Sequence, residues 1–348
     1  MTATNRPIPD EAALLRMENE LFARIDDAEA VPSAAVRSHQ VKPRLHAGRR
    51  VLVGVLAAAV AVGTVAVVRP FGGGVASAAA AEILNTASQA AALQNDPVLA
   101  PGQYTLVETT VIDAAAASVG DNGPMIGWLA STDRQLYIPA DHTREWVLTM
   151  SALAPYETFG DESERQAKLL HDEQLATFPD GELLRAAGGD FYCTPARYSD
   201  TKMAALSRDP KMLLSAIYEM NNGTGGDRKQ QVALEEIEDL LWSGIAPADL
   251  RAALFSAAAL IPGIDITDAA ATLNGETGTA IGRIDSGDGV RHDMIIDPET
   301  GNFIGAREVA LKDQSGIPEG TVTWWSSVTT TIVDQAPTVA TTLTSCPG

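Results

Sequence analysis

Cysteine is nearly absent: Cys193 and Cys346 are the only two in 348 residues. At most one intramolecular bridge can form. Neither cysteine lies near the long apolar run at residues 51–68, which excludes a lipoprotein signal. Basic residues are also scarce, 25 against 45 acidic, for a net charge of −20. That balance argues against nucleic acid, whose phosphates are met by Lys and Arg. Catalytic signatures are missing too. The chain has no G-x-S-x-G nucleophile elbow, no P-loop and no H-E-x-x-H spacing. A calcium-loop reading of 285–290 fails, because its twelfth position is Ile296 rather than an acid. His142, His171 and His292 follow the apolar run, none in a metal-ligand spacing. His171 sits in a charged helix, and His292 and Asp293 alternate along a strand, so they point to opposite faces. The expectation is a non-enzyme with no catalytic residue, no cofactor and no metal ligand.

What the chain does have is one uncharged run of eighteen residues, from Val51 to Val68, ten of them Val or Leu. At ~1.5 Å per residue it covers about 27 Å, close to the ~30 Å of hydrocarbon in a bilayer. A soluble core helix would normally keep a polar face. A signal peptide is the stronger rival, since Ala76-Ser77-Ala78 has the small residues of a cleavage site. But 50 residues precede the run, and it exceeds the ~7–15 residues of a signal's apolar region. Arg49-Arg50 is followed by VLVG, a poor twin-arginine continuation. Residues 49–70 therefore read as a retained transmembrane helix. Arg37, Lys42, Arg44, Arg49 and Arg50 precede it, and after Arg69 no Lys or Arg occurs before Arg134. The positive-inside rule puts the amino terminus in the cytoplasm and the rest outside, a single-pass protein of the cell membrane.

The domain plan follows. Residues 1–48 form a cytoplasmic tail, 71–335 an extracytoplasmic domain, and 336–348 a polar tail. In the first, 10–27 read as a helix with Leu14, Met17, Leu21 and Ile25 on one stripe. An isolated helix of that length is marginal in water. It lies on the membrane, folds against a partner, or stays largely disordered. Residues 71–348 carry sixteen Lys/Arg against thirty-eight Asp/Glu. Both cysteines fall on the oxidising side, where a Cys193–Cys346 bridge would pin the tail and contribute about 4–5 kcal/mol by chain entropy.

Within the exported part, 76–93 read as an Ala-rich helix. Residues 103–114 alternate like a strand, and two more strand candidates flank the turn PADH. A mostly helical middle comes next. One helix there is capped by Asp209 with Pro210 at its first position, and another starts at Pro247. Five strands with the tight turns SGDG and PETG finish the chain, and Gly301 is free to take positive φ. Short connections imply an antiparallel meander. The fold class is α+β: one twisted antiparallel sheet with helices packed on one, concave, face; two subdomains are the alternative. Trp324 and Trp325 are adjacent in a strand, so one ring faces in and one out; an outward ring can line a ligand groove.

Three stretches carry a family resemblance: AAEIL…PGQYTLVET after the apolar run, the helix APADLRAALFSAAALIPGIDI, and the hairpin MIIDPETGNFIGAREVAL. Together, over about 50–335, they resemble an actinobacterial family of single-pass membrane proteins of unknown function, often encoded beside extracytoplasmic-function sigma factors. One departure is NGETG at 274–278, where the family pattern has an arginine-containing G-R-x-G. The resemblance implies a sigma factor as the partner of the stripe Leu14, Met17, Leu21 and Ile25. Separately, the helical middle and its flanking strands look broadly like the half-barrel of lipoprotein-carrier and sigma-regulator domains, a fold-level analogy. The functional expectation is a sensor or binding domain, able to hold an apolar ligand or a partner segment between sheet and helices. The alternative is a structural envelope protein, which a solidly packed space between those layers would favour. The tail lacks the His/Cys zinc pattern of many anti-sigma factors.

Overall fold

The computed structural model describes residues 76–120, 123–193, 196–221, 228–285 and 287–338. The expected membrane span with Val51 and Val68, the stripe Leu14, Met17, Leu21 and Ile25, and Cys346 lie outside the described residues. Among the described residues, no helix is long and apolar enough to cross a membrane.

The order of elements is α1 (Ala78–Ala92), β1 (Tyr104–Ser118), β2 (Met125–Pro139), β3 (Glu145–Met150), β4 (Ala154–Thr158), α2 (Asp161–Thr177) and β5 (Glu182–Ala187). Then come α3 (Asp200–Ala205), α4 (Pro210–Met220), α5 (Arg228–Trp242) and α6 (Ala248–Ala258). The chain closes with β6 (Asp265–Leu273), β7 (Glu276–Asp285), β8 (Val290–Asp297), β9 (Asn302–Ala310) and β10 (Val322–Val333). All ten strands form one open antiparallel sheet, ordered β5-β3-β2-β1-β10-β9-β8-β7-β6. The long β2 serves two neighbours, β4 at Trp128–Ser131 and β3 at Arg134–Tyr137. The α+β class and the single antiparallel sheet are as expected. The middle is less helical than expected, since β4 and β5 lie within it. Neither strand alternates in sequence; their pairing with β2 and β3 imposes the strand.

The helices gather on one face of the sheet. In α1, Ala80, Leu84, Ala87 and Ala91 form a buried stripe at helical spacing. Ser77 caps it, accepting from the Ala80 N–H, and its own hydroxyl donates to Asp265 at 2.6 Å. Small alanines let α1 approach α6 closely, and the Ser88 hydroxyl donates to the Ala252 carbonyl at 2.7 Å. Helix α4 begins as read: the Asp209 carboxylate accepts from the Lys211 and Met212 N–H groups, with Pro210 next. Helix α6 is buried nearly all round, with Leu250, Leu254 and Phe255 fully covered. These side chains join Leu213, Ile217, Leu234, Ile237 and Leu240, and meet Ile281, Met294 and Ile296 of the sheet. Burying each such side chain stabilises by about 1.5–3 kcal/mol. The space between helices and sheet here is a filled core.

The sheet's curvature differs from expectation. Asn274 belongs to the turn joining β6 and β7 at the far edge, and lines one groove with Thr110 of β1 and Asp133 of β2. Five strand spacings of ~4.8 Å separate β6 from β1 along the sheet. Asn274 reaches that groove because the β6–β7 hairpin curls over the face opposite the helices. Two register shifts in β6 supply the bend. Helices therefore lie on the outside of this curl.

Candidate functional site

Two places bring chemistry together, one on each face of the sheet. The first is a groove of about 560 Å³ on the helix-free face. Alternation places Glu108 and Thr110 of β1, Asp133 and Gln135 of β2, Thr149 of β3, and Ser327 and Thr329 of β10 on its floor. Glu182 and Leu183 close one side, and Asn274 overhangs the other. The floor is a network of paired polar groups. Thr110 donates to Asp133 at 2.7 Å, Gln135 to Glu108 at 3.0 Å, and the Tyr137 hydroxyl to Gln135 at 3.0 Å. Burial, with Glu108 nearby, pushes the Tyr137 phenol up. A second recess shares Thr110, Asp133 and Asn274 with the first and adds Tyr156 and Trp325. Their rings stand edge to face at 6.2 Å.

The second place is buried between α5 and the sheet. Gln231, Glu235, Glu238 and Trp242 recur at helical spacing, so one face of α5 is polar where a core face would be apolar. Beneath it, Arg283 of β7, His292 of β8, Glu308 of β9 and Trp324 of β10 share the helix side of the sheet. His292 Nε2 lies 2.5 Å from a Glu238 carboxylate oxygen, and Nδ1 lies 3.3 Å from Glu308. Trp324 stacks on the imidazole with centroids 6.1 Å apart. His292 is 3% exposed and Glu238 5%. Burial opposes charge on the imidazole, yet the Glu238 carboxylate against it holds its pKa well above the usual value. Burial likewise pushes the Glu238 carboxyl up, against the pull of His292. The second Glu238 oxygen is buried without a hydrogen-bond partner.

The sequence expectations map unevenly onto these places. His292 and Asp293 do point to opposite faces, and Asp293 binds Arg291 and Arg307 on the far side. Neighbours in space, not in sequence, give His292 its carboxylates, and spacing rules carry no signal for that. His171 Nδ1 donates to the Leu153 carbonyl, 2.6 Å away, and His142 pairs with Asp200 at 2.7 Å. Trp324 and Trp325 part as expected, Trp324 to the helix side and Trp325 to the groove. Within segment 285–290, residues 287–289 form a turn between β7 and β8, and the Asp285 carboxylate accepts from the Gly287 N–H at 2.9 Å. Cys193 ends a short kinked turn, Phe191–Cys193, in which Tyr192 has a φ of +55°; the partner expected for it, Cys346, lies outside the described residues. Comparison with known proteins found no matching family, no curated relative and no similar solved structure.

Proposed function

We propose that this chain is a membrane-anchored, non-enzymatic binding or sensor protein whose ligand surface is the helix-free groove. The observation that carries the reading is the division of labour between the two faces. The apolar side chains between helices and β6–β9 are buried together in one cluster, the packing of a core rather than the lining of the apolar ligand site expected from sequence. The opposite face keeps an open trough lined by hydroxyls, amides and carboxylates. Paired planar polar groups beside an exposed Tyr156 and a Trp325 ring suit a hydroxylated, uncharged ligand such as a neutral saccharide, whose apolar ring face stacks on aromatics. Glu108, Asp133, Asp180 and Glu182 line the trough and disfavour anionic glycans. The half-barrel of lipoprotein carriers and sigma regulators remains a fold-level analogy, and it supplies no function.

The same reading retains residues 49–70 as the anchor. Ser77 supports retention, because cleavage at Ala76-Ser77-Ala78 would remove the cap of α1 and its bond to Asp265. A cytoplasmic regulator, a sigma factor, would dock on Leu14, Met17, Leu21 and Ile25. The structural envelope alternative is favoured by one observation, the filled core.

Titration of full-length protein with neutral oligosaccharides tests the groove. Binding that Tyr156→Ala and Asp133→Ala each weaken at least tenfold supports it, and no binding across neutral sugars leaves the structural alternative. Membrane fractionation tests the anchor; intact soluble chain would refute it. Capture of a sigma factor by residues 1–48, lost in Leu21→Asp, tests the signalling arm.

A further inference from the structure

We propose that Glu235, His292 and Glu308 form a binding site for a divalent first-row transition metal ion. One ligand atom from each, drawn from α5, β8 and β9, lies within 4.8 Å of the other two. The His292–Glu308 separation of 3.3 Å already matches two donors on one ion, where metal–ligand bonds run ~2.0–2.2 Å.

Four features of the fold go beyond a chance meeting of acids. His292 is fixed on its other edge: Nε2 faces Glu238 at 2.5 Å. A metal-bound histidine typically donates its remote N–H to a carboxylate, which sets the tautomer and raises the basicity of the ligating nitrogen. Glu238 stands in that supporting position, 7% exposed at its side chain. Trp324 holds the ring plane from below. Charge is the third feature. Glu238 and Glu308 contact one imidazole, Glu235 lies within 4.8 Å with the Gln231 amide donating to it, and among the described residues no Lys or Arg is ion-paired with any of the three. Even with His292 protonated, the group keeps an excess of negative charge in a half-buried place, which a divalent cation would neutralise. The neighbouring acids of α5 are accounted for otherwise, as Glu236 and Asp239 both pair with Arg197.

Access completes the case. Glu308 is 34% exposed at its side chain, while His292 is 4%. The ion would be held against the buried imidazole, with its remaining positions open to water. One nitrogen and two carboxylate donors suit zinc and its neighbours better than magnesium or calcium, which prefer oxygen alone.

The test is calorimetric titration of the full chain in detergent with Zn²⁺, followed by Co²⁺ absorption spectroscopy. We expect one ion bound per chain. Glu235→Gln and Glu308→Gln should each weaken it at least tenfold, and Glu238→Gln by ~10–100-fold through the supporting contact. Glu299→Gln, in a remote turn, should leave it unchanged. Circular dichroism of each variant separates lost binding from lost fold; Glu235, half-exposed on α5, is the substitution least able to unfold the domain. Absence of Zn²⁺ binding would overturn the proposal. So would binding that survives Glu235→Gln and Glu308→Gln in folded protein. Thiolate-to-cobalt bands would also overturn it, by placing the ion at a cysteine. Sugar binding in the groove is measured separately, so failure of either reading leaves the other standing.

Discussion

Gly301 rests against the backbone of α1, so that a Cβ on it would come 2.4 Å from the Ala91 nitrogen and 2.6 Å from the Ala87 carbonyl oxygen. Its φ is +71°. Both facts require glycine: the left-handed conformation costs other residues roughly 1–2 kcal/mol, and the contact leaves no room. The turn is further tied by Asp297, which accepts from the Glu299 N–H, and by Gln94, which donates to the Thr300 carbonyl. Gly301→Ala is expected to destabilise by about 2–4 kcal/mol, the strain plus the cost of displacing α1. Urea denaturation checks this; a loss under 1 kcal/mol would show that the hairpin moves freely off the helix.

Asp293 is fully buried and clamped by Arg291 and Arg307. Arg307 also reaches Asp268 at 3.2 Å, tying β6 to β9 across the helix-free face. Asp293→Ala leaves two guanidinium groups without their shared carboxylate. The expected loss is about 3–5 kcal/mol. Chemical denaturation of Asp293→Ala and of Arg307→Met reads it, and the second should cost less because Arg291 keeps the carboxylate paired.

Leu254 of α6 is fully buried in the cluster that α1, α4, α5 and the sheet share. Leu254→Ala should cost about 2–5 kcal/mol, the transfer term plus an unfilled cavity. The same change at Leu169, which is 56% exposed, should fall within ~0.5 kcal/mol. Equal effects at both positions would contradict a filled core under α6.

Alkali should weaken the fold. Burial pushes the phenols of Tyr137, Tyr198 and Tyr218 up, and that of Tyr192 to about 12. The folded chain thus keeps protons that the unfolded chain releases near pH 10. Below that pH both states hold them and nothing is lost. As pH rises past it, only the unfolded state ionises, so stability falls. Ultraviolet titration should show these tyrosines ionising later in native protein than in urea, with the denaturation midpoint dropping above pH 10. Superimposable titrations would refute it.

Much of the fold is legible in residues that act locally. Asp209-Pro210 starts a helix because a carboxylate meets free N–H groups and proline needs none. Gly301 marks its turn because only glycine enters that conformation cheaply. Strands β4 and β5 escape such reading, since distant partners impose them. The direction of the curl is likewise hidden, because it depends on register shifts in β6. The groove could be foreseen only as an outward-facing Trp325. The assembly around His292 was not legible at all. Its members are spread over residues 231–324 and meet only once α5 crosses the sheet.

Placing β1 beside β10 has a kinetic consequence. Gln103 donates to Asp334 at 3.0 Å across 231 residues of chain, and Tyr104 opposes Val333. The middle of the sheet is thus its most distant pairing in sequence. Strands β6 to β10 can zip as consecutive hairpins, and β1 to β3 can do the same, but the seam between them closes only when the last strand arrives. Until then two long edges stand open, β1 on one half and β10 on the other, each a template for another chain. Closing a loop of that size before any pairing rewards it is slow. A ribosome releasing this chain from its amino terminus therefore leaves the β10-facing edge of β1 unmatched for most of synthesis, the interval in which a holding chaperone would be of most use.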